Sequence, residues 1–263
     1  MIVLTRHLLL MLTTIFLLIS FGIGCGESSE IDNESADNET VTDNSLLIFS
    51  YTDGWRHDSI EPGIKAIKSL ANENSVSVYA TEDSAHFTDH DLSNYDAIIF
   101  LNTTETVFDN DEQREAFKSY IQNGGGFVGV HSASDTEYDW PWYGELVGAY
   151  FDNHPNNPNV RNAKIEIVNS DHKSTHMLPD RWERDDEWYN FREIPDHVEV
   201  LLKLDTDSYD GSDHPGYHPI AWYHEFEGGR AFYTGLGHTI ESYSENLFLQ
   251  HLWGGIEYSM GID

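Results

Sequence analysis

Apolar positions fall into short continuous runs, separated by polar turns and by stretches of helical period. Residues 46–51 (Leu-Leu-Ile-Phe-Ser-Tyr) form a run of buried-strand character. The polar turn 52–58 leads into an amphipathic segment. There Ser59 is placed to cap a helix, Pro62 sits in its first turn, and Ile64, Ile67, Leu70 and Ala71 line one face. Residues 75–79 predict a second strand. Residues 97–101 (Ala-Ile-Ile-Phe-Leu) predict a third, apolar enough to be covered on both faces. A helix is predicted over 111–122, closed by Gly124-Gly125-Gly126, where glycine tolerates the left-handed conformation. Residues 127–130 then form a fourth strand that runs straight into His131. This alternation implies right-handed crossovers and a three-layer α/β fold, its mostly parallel sheet covered by helices on both faces.

The pattern loosens after His131. Strands are predicted at 163–168, 198–204, 220–226 and 230–234, and a final helix over 244–258. Long polar, Trp-rich loops at 139–160 and 171–192 lie between them. An open α/β sheet binds ligands outside the carboxyl ends of its strands. The loops after the first, third and fourth strands are therefore where chemistry is expected.

Ahead of this domain, Arg6 and His7 precede an almost wholly apolar stretch, 8–21. It is shorter than the roughly 20 residues that a bilayer-spanning helix needs, so it reads as a signal-peptide core. The stretch ends in Gly22-Ile23-Gly24-Cys25, which resembles the lipobox of bacterial lipoproteins, with Gly22 where Leu or Val is usual. An ordinary cleaved signal peptide is the alternative. Cys25 is the one cysteine of the chain and the expected lipidation site. Its uniqueness excludes an intramolecular disulfide and any cysteine nucleophile in the domain. Residues 26–44 carry seven acids and no base. They hold too little apolar surface to offset ordering entropy and are expected to be a disordered tether. Acids just after the anchor also resemble surface-export signals of some Bacteroidetes lipoproteins. The expected organisation is a signal peptide over 1–25, a tether over 26–44 and one domain over 45–263. The chain is expected to be exported and lipid-anchored at the periplasmic or cell-surface face of a bacterial membrane.

The formal charge is −32, with 46 Asp and Glu against 14 Lys and Arg. Such a surface repels phosphate backbones and excludes nucleic acid as a partner. No glycine-rich phosphate loop occurs, so no nucleotide cofactor is indicated. Aromatic residues are plentiful and include seven Trp. They serve either to stack sugars or, more ordinarily, to fill a core.

Three histidines stand where strand ends should aim them into a crevice. His131 follows the fourth strand among small residues (Gly129-Val130-His131-Ser132-Ala133), at the turn where hydrolases and amidotransferases hold their nucleophile. His238 ends a later strand just after Gly235 and Gly237, with Glu241 placed to orient its ring. His57 lies on the loop after the first strand. Asp186-Glu187-Trp188-Tyr189 sets acids beside aromatics, the pairing that sugar hydroxyls and ring faces require, and Asp135 with Trp140 and Trp142 has the same character. The expected acid–base group is His131, His238 and Glu187. His57, Asp135, Trp140, Trp142, Trp188 and Tyr189 are expected to bind substrate. Convergence of imidazole and carboxylate would suit one divalent metal (zinc, manganese or iron), with His131 and His238 as ligands. Each histidine also has an ordinary structural alternative.

Several segments together resemble the ThuA-like, or trehalose-utilisation, family. They are Trp55-Arg56-His57-Asp58, Gly124-Gly125-Gly126-Phe127-Val128-Gly129-Val130-His131, Trp140-Pro141-Trp142-Tyr143, Asp186-Glu187-Trp188-Tyr189, His218-Pro219-Ile220-Ala221-Trp222 and Gly235-Leu236-Gly237-His238-Thr239. The resemblance implies a flavodoxin-like domain similar to class I glutamine amidotransferases. Where those enzymes carry cysteine at the elbow this chain has His131, so the resemblance excludes thioester chemistry and glutaminase activity. It implies a carbohydrate-processing protein acting on a (3-keto-)sugar or glycoside by His/Glu acid–base chemistry, with or without metal assistance. The alternative is a non-catalytic sugar-binding surface lipoprotein that uses Trp140, Trp142 and Trp188 as a platform. Its membrane contact is through the lipid anchor only.

Overall fold

The computed structural model describes residues 44–262; the expected signal peptide, the Cys25 anchor and the tether up to residue 43 lie outside the described residues. The first half follows the hydropathy pattern closely. It contains β1 (Ser45–Phe49), α1 (Ile60–Glu73), β2 (Ser77–Thr81), a one-turn α2 (Asp89–Leu92), β3 (Ala97–Leu101), α3 (Asp111–Gln122) and β4 (Gly126–Val130). Then follow α4 (Pro141–Val147), β5 (Phe151–Asn153), β6 (Val160–Ile167), β7 (Arg181–Glu187), β8 (Asn190–Phe191), β9 (Glu199–Leu204), β10 (His218–Phe226), β11 (Gly229–Thr234) and α5 (Asn246–Met260).

One nine-stranded mixed sheet runs in the order β2-β1-β3-β4-β11-β10-β9-β6-β7, and β5 pairs with β8 apart from it. The strands from β2 to β11 are parallel, and the rest add in antiparallel fashion. The change of direction has a local cause. Phe226 pairs with Gly229 across a two-residue turn, Glu227-Gly228, with φ of 47° and 106°. A connection that short joins only antiparallel strands.

Helices cover both faces. Gly63 of α1 lies against Leu101, and Gly255 of α5 lies against the Phe232 ring. On the opposite face Phe100 and Phe127 pack on Phe117 of α3 and Tyr143 of α4. All six of these apolar side chains are fully buried, and each burial contributes about 1.5–3 kcal/mol.

The structure departs from the sequence expectation in three places. Ser59 precedes α1 but forms no cap; its hydroxyl bonds Gly237 O and Asn102 instead. The expected loop 139–160 contains α4 and β5. The expected loop 171–192 contains β7, whose sequence, Arg-Trp-Glu-Arg-Asp-Asp-Glu, reads as polar. Its buried positions hold Trp182, Arg184 and Asp186, so inward-facing charges conceal the period-two pattern. No helix among the described residues is long and apolar enough to cross a membrane.

Candidate active site

The carboxyl ends of three parallel strands meet the tip of β7. His57 lies on the loop after β1, His131 directly after β4 and His238 on the loop after β11, while Glu187 is the last residue of β7. β9 pairs only with Ile165–Ile167 of β6. The rest of the β6–β7 hairpin therefore extends past that edge and brings Glu187 back over the strand ends. One ligand atom from each of His57, His131, Glu187 and His238 lies within 4.8 Å of the others. The three imidazole centroids are 5.1 Å apart in every pairing.

His131 occupies the elbow with φ of 50°, in the left-handed region, and opens a 3₁₀ turn, His131–Ser134. Such a backbone is sparsely populated by non-glycine residues and recurs at active sites. Its Nδ1 faces the carbonyl oxygen of Gly235 at 3.0 Å, an acceptor only, so Nδ1 carries the proton. In the neutral ring Nε2 is then a lone pair, 3.3 Å from Glu187 Oε2 and 3.2 Å from His238 Nδ1. His238 Nδ1 is in turn 3.1 Å from the same carboxylate oxygen. The other oxygen of Glu187 accepts from Asn159 Nδ2 at 2.7 Å and lies 3.5 Å from His154 Nε2. Three acceptor-capable atoms thus converge on one point, which calls for a shared proton or a cation.

Burial would by itself raise the Glu187 carboxyl, but hydrogen bonds and charge from His131 and His238 hold it well below the usual carboxylate range. For His238, burial opposes protonation, and the bond to Glu187 with the charges of Glu187 and Asp186 outweighs it, so its pKa is raised. Burial, reinforced by the neighbouring histidines, lowers His57 to about 2. Asp135 is pushed up to about 6 by burial, against the hydrogen bond it accepts from Tyr138.

Behind this group lies a residue that sequence reading did not single out. Asp186 is fully buried and accepts from the backbone N–H of Glu187 (3.0 Å), His238 (3.1 Å) and Gly237 (2.9 Å), and pairs with Arg184 (3.1 Å). It fixes the loop that carries His238. The Arg184-x-Asp186 alternation was its one local signal. Glu187, rather than the expected Glu241, orients the His238 ring. His154 and Asn159 also join the site.

His57, Glu187 and His238 line a cleft of about 810 Å³, together with Asp135, Phe151, His154, Asn159, Tyr189 and Ile240 among others, and the fully buried His131 backs them without lining it. His57, Asp135 and Tyr189 line this cleft, with the Tyr189 ring 4.1 Å from that of His131. The three tryptophans of the expected platform do not. Trp188 is fully buried and donates its indole N–H to Arg161 O. Trp140 and Trp142 stack on each other at 4.9 Å and pack beside Phe108 and Phe117. None of the three lines the cleft, so no aromatic platform is assembled from them.

Four histidines and a glutamate around one strand-end crevice define a flavodoxin-like α/β domain with imidazole in place of a nucleophile at its elbow. The family model for ThuA, trehalose utilisation, matches residues 45–259, and the chain belongs to that family. Its role is accordingly carbohydrate-related. No curated protein sequence matches the chain. Among solved structures, a ThuA-like protein from Bacteroides uniformis is similar with a TM-score of 0.71 at 24% identity, over 84% of this chain and 92% of that one. Another from Parabacteroides merdae has a TM-score of 0.62 at 19% identity, over 82% and 90%. A β-galactosidase from Bacillus circulans shares the fold over 31% of its own length, with a TM-score of 0.56 at 14% identity.

Three histidines away from the cluster make a testable demand on stability. Burial lowers His172 and His218 to about 4 and His251 to about 3, from 6.5. Their folded pKa lies below the unfolded one, so below pH 6.5 the unfolded chain binds more protons and stability falls. Asp135, raised to about 6 from 3.8, and His238, also raised, act in the opposite sense, but they are two groups against five, since burial lowers His57 and His224 as well. The denaturant midpoint should therefore drop between pH 7 and pH 5. A midpoint that rises on acidification would mean that these rings accept protons in the folded state.

Proposed function

We propose that this chain is a carbohydrate-processing enzyme that acts on a sugar or glycoside, in the first place a 3-keto form, by metal-assisted acid–base chemistry. In the same reading it is exported and held to a bacterial membrane through Cys25. The observation that carries the chemistry is the convergence of His57, His131, His238 and Glu187 on one point of the cleft floor.

The donor set fits a divalent metal. The bond from His131 Nδ1 to Gly235 O directs the Nε2 lone pair at the shared point, as metal-bound histidines are ordinarily oriented by a carbonyl behind them. His57 is neutral at any physiological pH, and Glu187 is ionised. Imidazole with one carboxylate suits zinc, manganese or iron. Bound there, the metal would polarise a sugar carbonyl and stabilise negative charge on its oxygen.

The chain's own residues do the remainder. A 3-keto group acidifies the neighbouring carbon–hydrogen bonds. Asp135 lines the cleft outside the ligand set with a pKa of about 6, so at neutral pH it is largely ionised and placed to take that proton. Tyr138 holds its carboxylate in position. Tyr189 and Phe151 form the apolar wall on which a sugar ring can rest.

The test is elemental analysis of the purified protein, wild type and with His131→Ala or His238→Ala. About one equivalent of metal is expected in the wild type and none in either variant. A wild type that stays metal-free after reconstitution with zinc, manganese and iron would overturn the metal-assisted reading.

A further inference from the structure

Six large apolar side chains stand exposed among the described residues, and two of them, Trp55 (74% exposed) and Ile240 (50%), line the rim of the cleft. Their placement is paired. Trp55 lies two residues before His57 and Ile240 two residues after His238, so each of two cluster histidines carries an apolar neighbour at the mouth. Two residues of chain span at most about 7 Å, which keeps the indole close to the floor group.

The indole is exposed on a fixed loop. Asp53 N–H donates to Thr104 O at 3.1 Å and Gly54 N–H to Thr104 Oγ1 at 3.2 Å, while that hydroxyl donates to Trp55 O at 3.2 Å. On the far side Arg56 pairs with Glu61 at 2.7 Å and with Glu82 at 2.8 Å. The backbone is thus tied on both sides of Trp55, and the ring is presented to solvent at the rim. Indole faces present an apolar body suited to the C–H face of a pyranose. The cleft's volume lies near the top of the roughly 300–1,000 Å³ of small-molecule sites, room for more than one ring.

Charge narrows the ligand further. Asp58, Asp135, Glu187 and Glu241 line the cleft, and among the described residues no Lys or Arg does. A phosphate or carboxylate on a ring held at the rim, away from the floor group, would meet Asp58 and Glu241 with no Lys or Arg beside it.

Resting on the carbohydrate reading above, we infer that Trp55 and Ile240 form a distal subsite that holds the second ring of an uncharged glycoside while the first ring meets the histidine cluster. Trp55 sets the preference for a two-ring ligand.

Calorimetric titration of the full chain with glucose, trehalose and trehalose 6-phosphate, for the wild type, Trp55→Ala and Trp55→Phe, tests this. Wild type should bind trehalose at least about tenfold tighter than glucose, the affinity ratio that about 1.4 kcal/mol produces. It should bind the 6-phosphate more weakly than trehalose. Trp55→Ala should collapse the trehalose-to-glucose ratio towards one, and Trp55→Phe should keep most of it. An exposed position tolerates either change without unfolding, which an unchanged thermal midpoint would verify. Sugar binding with the ratio intact in Trp55→Ala, or tighter binding of the 6-phosphate, would overturn the subsite and leave the carbohydrate reading standing. No sugar bound by the wild type would overturn both.

Discussion

His131→Ala should lower kcat/KM on a 3-keto glycoside by about 10³-fold, the loss of about 4 kcal/mol out of the several that a bound metal contributes to charge stabilisation, with the fold retained. His131 is the centre of the cluster: its Nε2 lies within hydrogen-bond reach of both Glu187 and His238, and its Nδ1 is tied to Gly235. Truncation removes one of four donors and frees the ring of Tyr189 that packs on it. The backbone should tolerate it. Alanine at φ of 50° carries about the same left-handed penalty, roughly 1–2 kcal/mol, that histidine already carries there. Circular dichroism and the denaturant midpoint check the fold, and steady-state kinetics check the activity. Full activity in a folded His131→Ala protein would sink the assignment of the histidine cluster as the active site.

Asp186→Ala should cost about 3–5 kcal/mol of stability, the usual effect of removing one partner of a buried ion pair. Arg184 is buried between the rings of Trp182 and Phe248, each about 5.0 Å from its guanidinium carbon. Without Asp186 its remaining carboxylate is Glu245 at 3.2 Å, which is partly exposed. The same substitution strands the N–H groups of Gly237 and His238, so the His238 loop should loosen and affinity at the cluster should fall with stability. Asp186→Asn keeps the shape and loses the charge, and should fall between wild type and Ala. Urea unfolding measures both. A loss below about 1 kcal/mol in the Ala variant would show that Glu245 alone neutralises Arg184.

Much of the site could be read from the chain, and unevenly so. His131 was legible because the apolar run 127–130 ends on it among small residues, the local signature of a strand-to-helix elbow. His238 was legible from the two glycines, Gly235 and Gly237, that lead into it. His57 has no comparable signal: Trp55-Arg56-His57-Asp58 is one polar loop among several, and only the parallel pairing of β1 with β3 and of β3 with β4 carries it to the crevice. The aromatic platform failed for a related reason. Tryptophan next to acids marks a sugar site or a core position alike, and burial alone tells Trp188 from Trp55.

The sequence by itself determined the parallel α/β half, since continuous apolar runs flanked by amphipathic helices can bury their surface in few other ways. It also determined that the turn after the fourth strand carries His131 and not a cysteine. Tertiary structure decided which carboxylate serves which histidine, and that β7 exists at all. Both rest on contacts between residues far apart in the chain. Asp186 gains the N–H groups of Gly237 and His238, and Arg184 gains Glu245, only once β7 packs against the loop after β11. A rule that reads burial from hydropathy has no access to a charge whose partner the fold supplies.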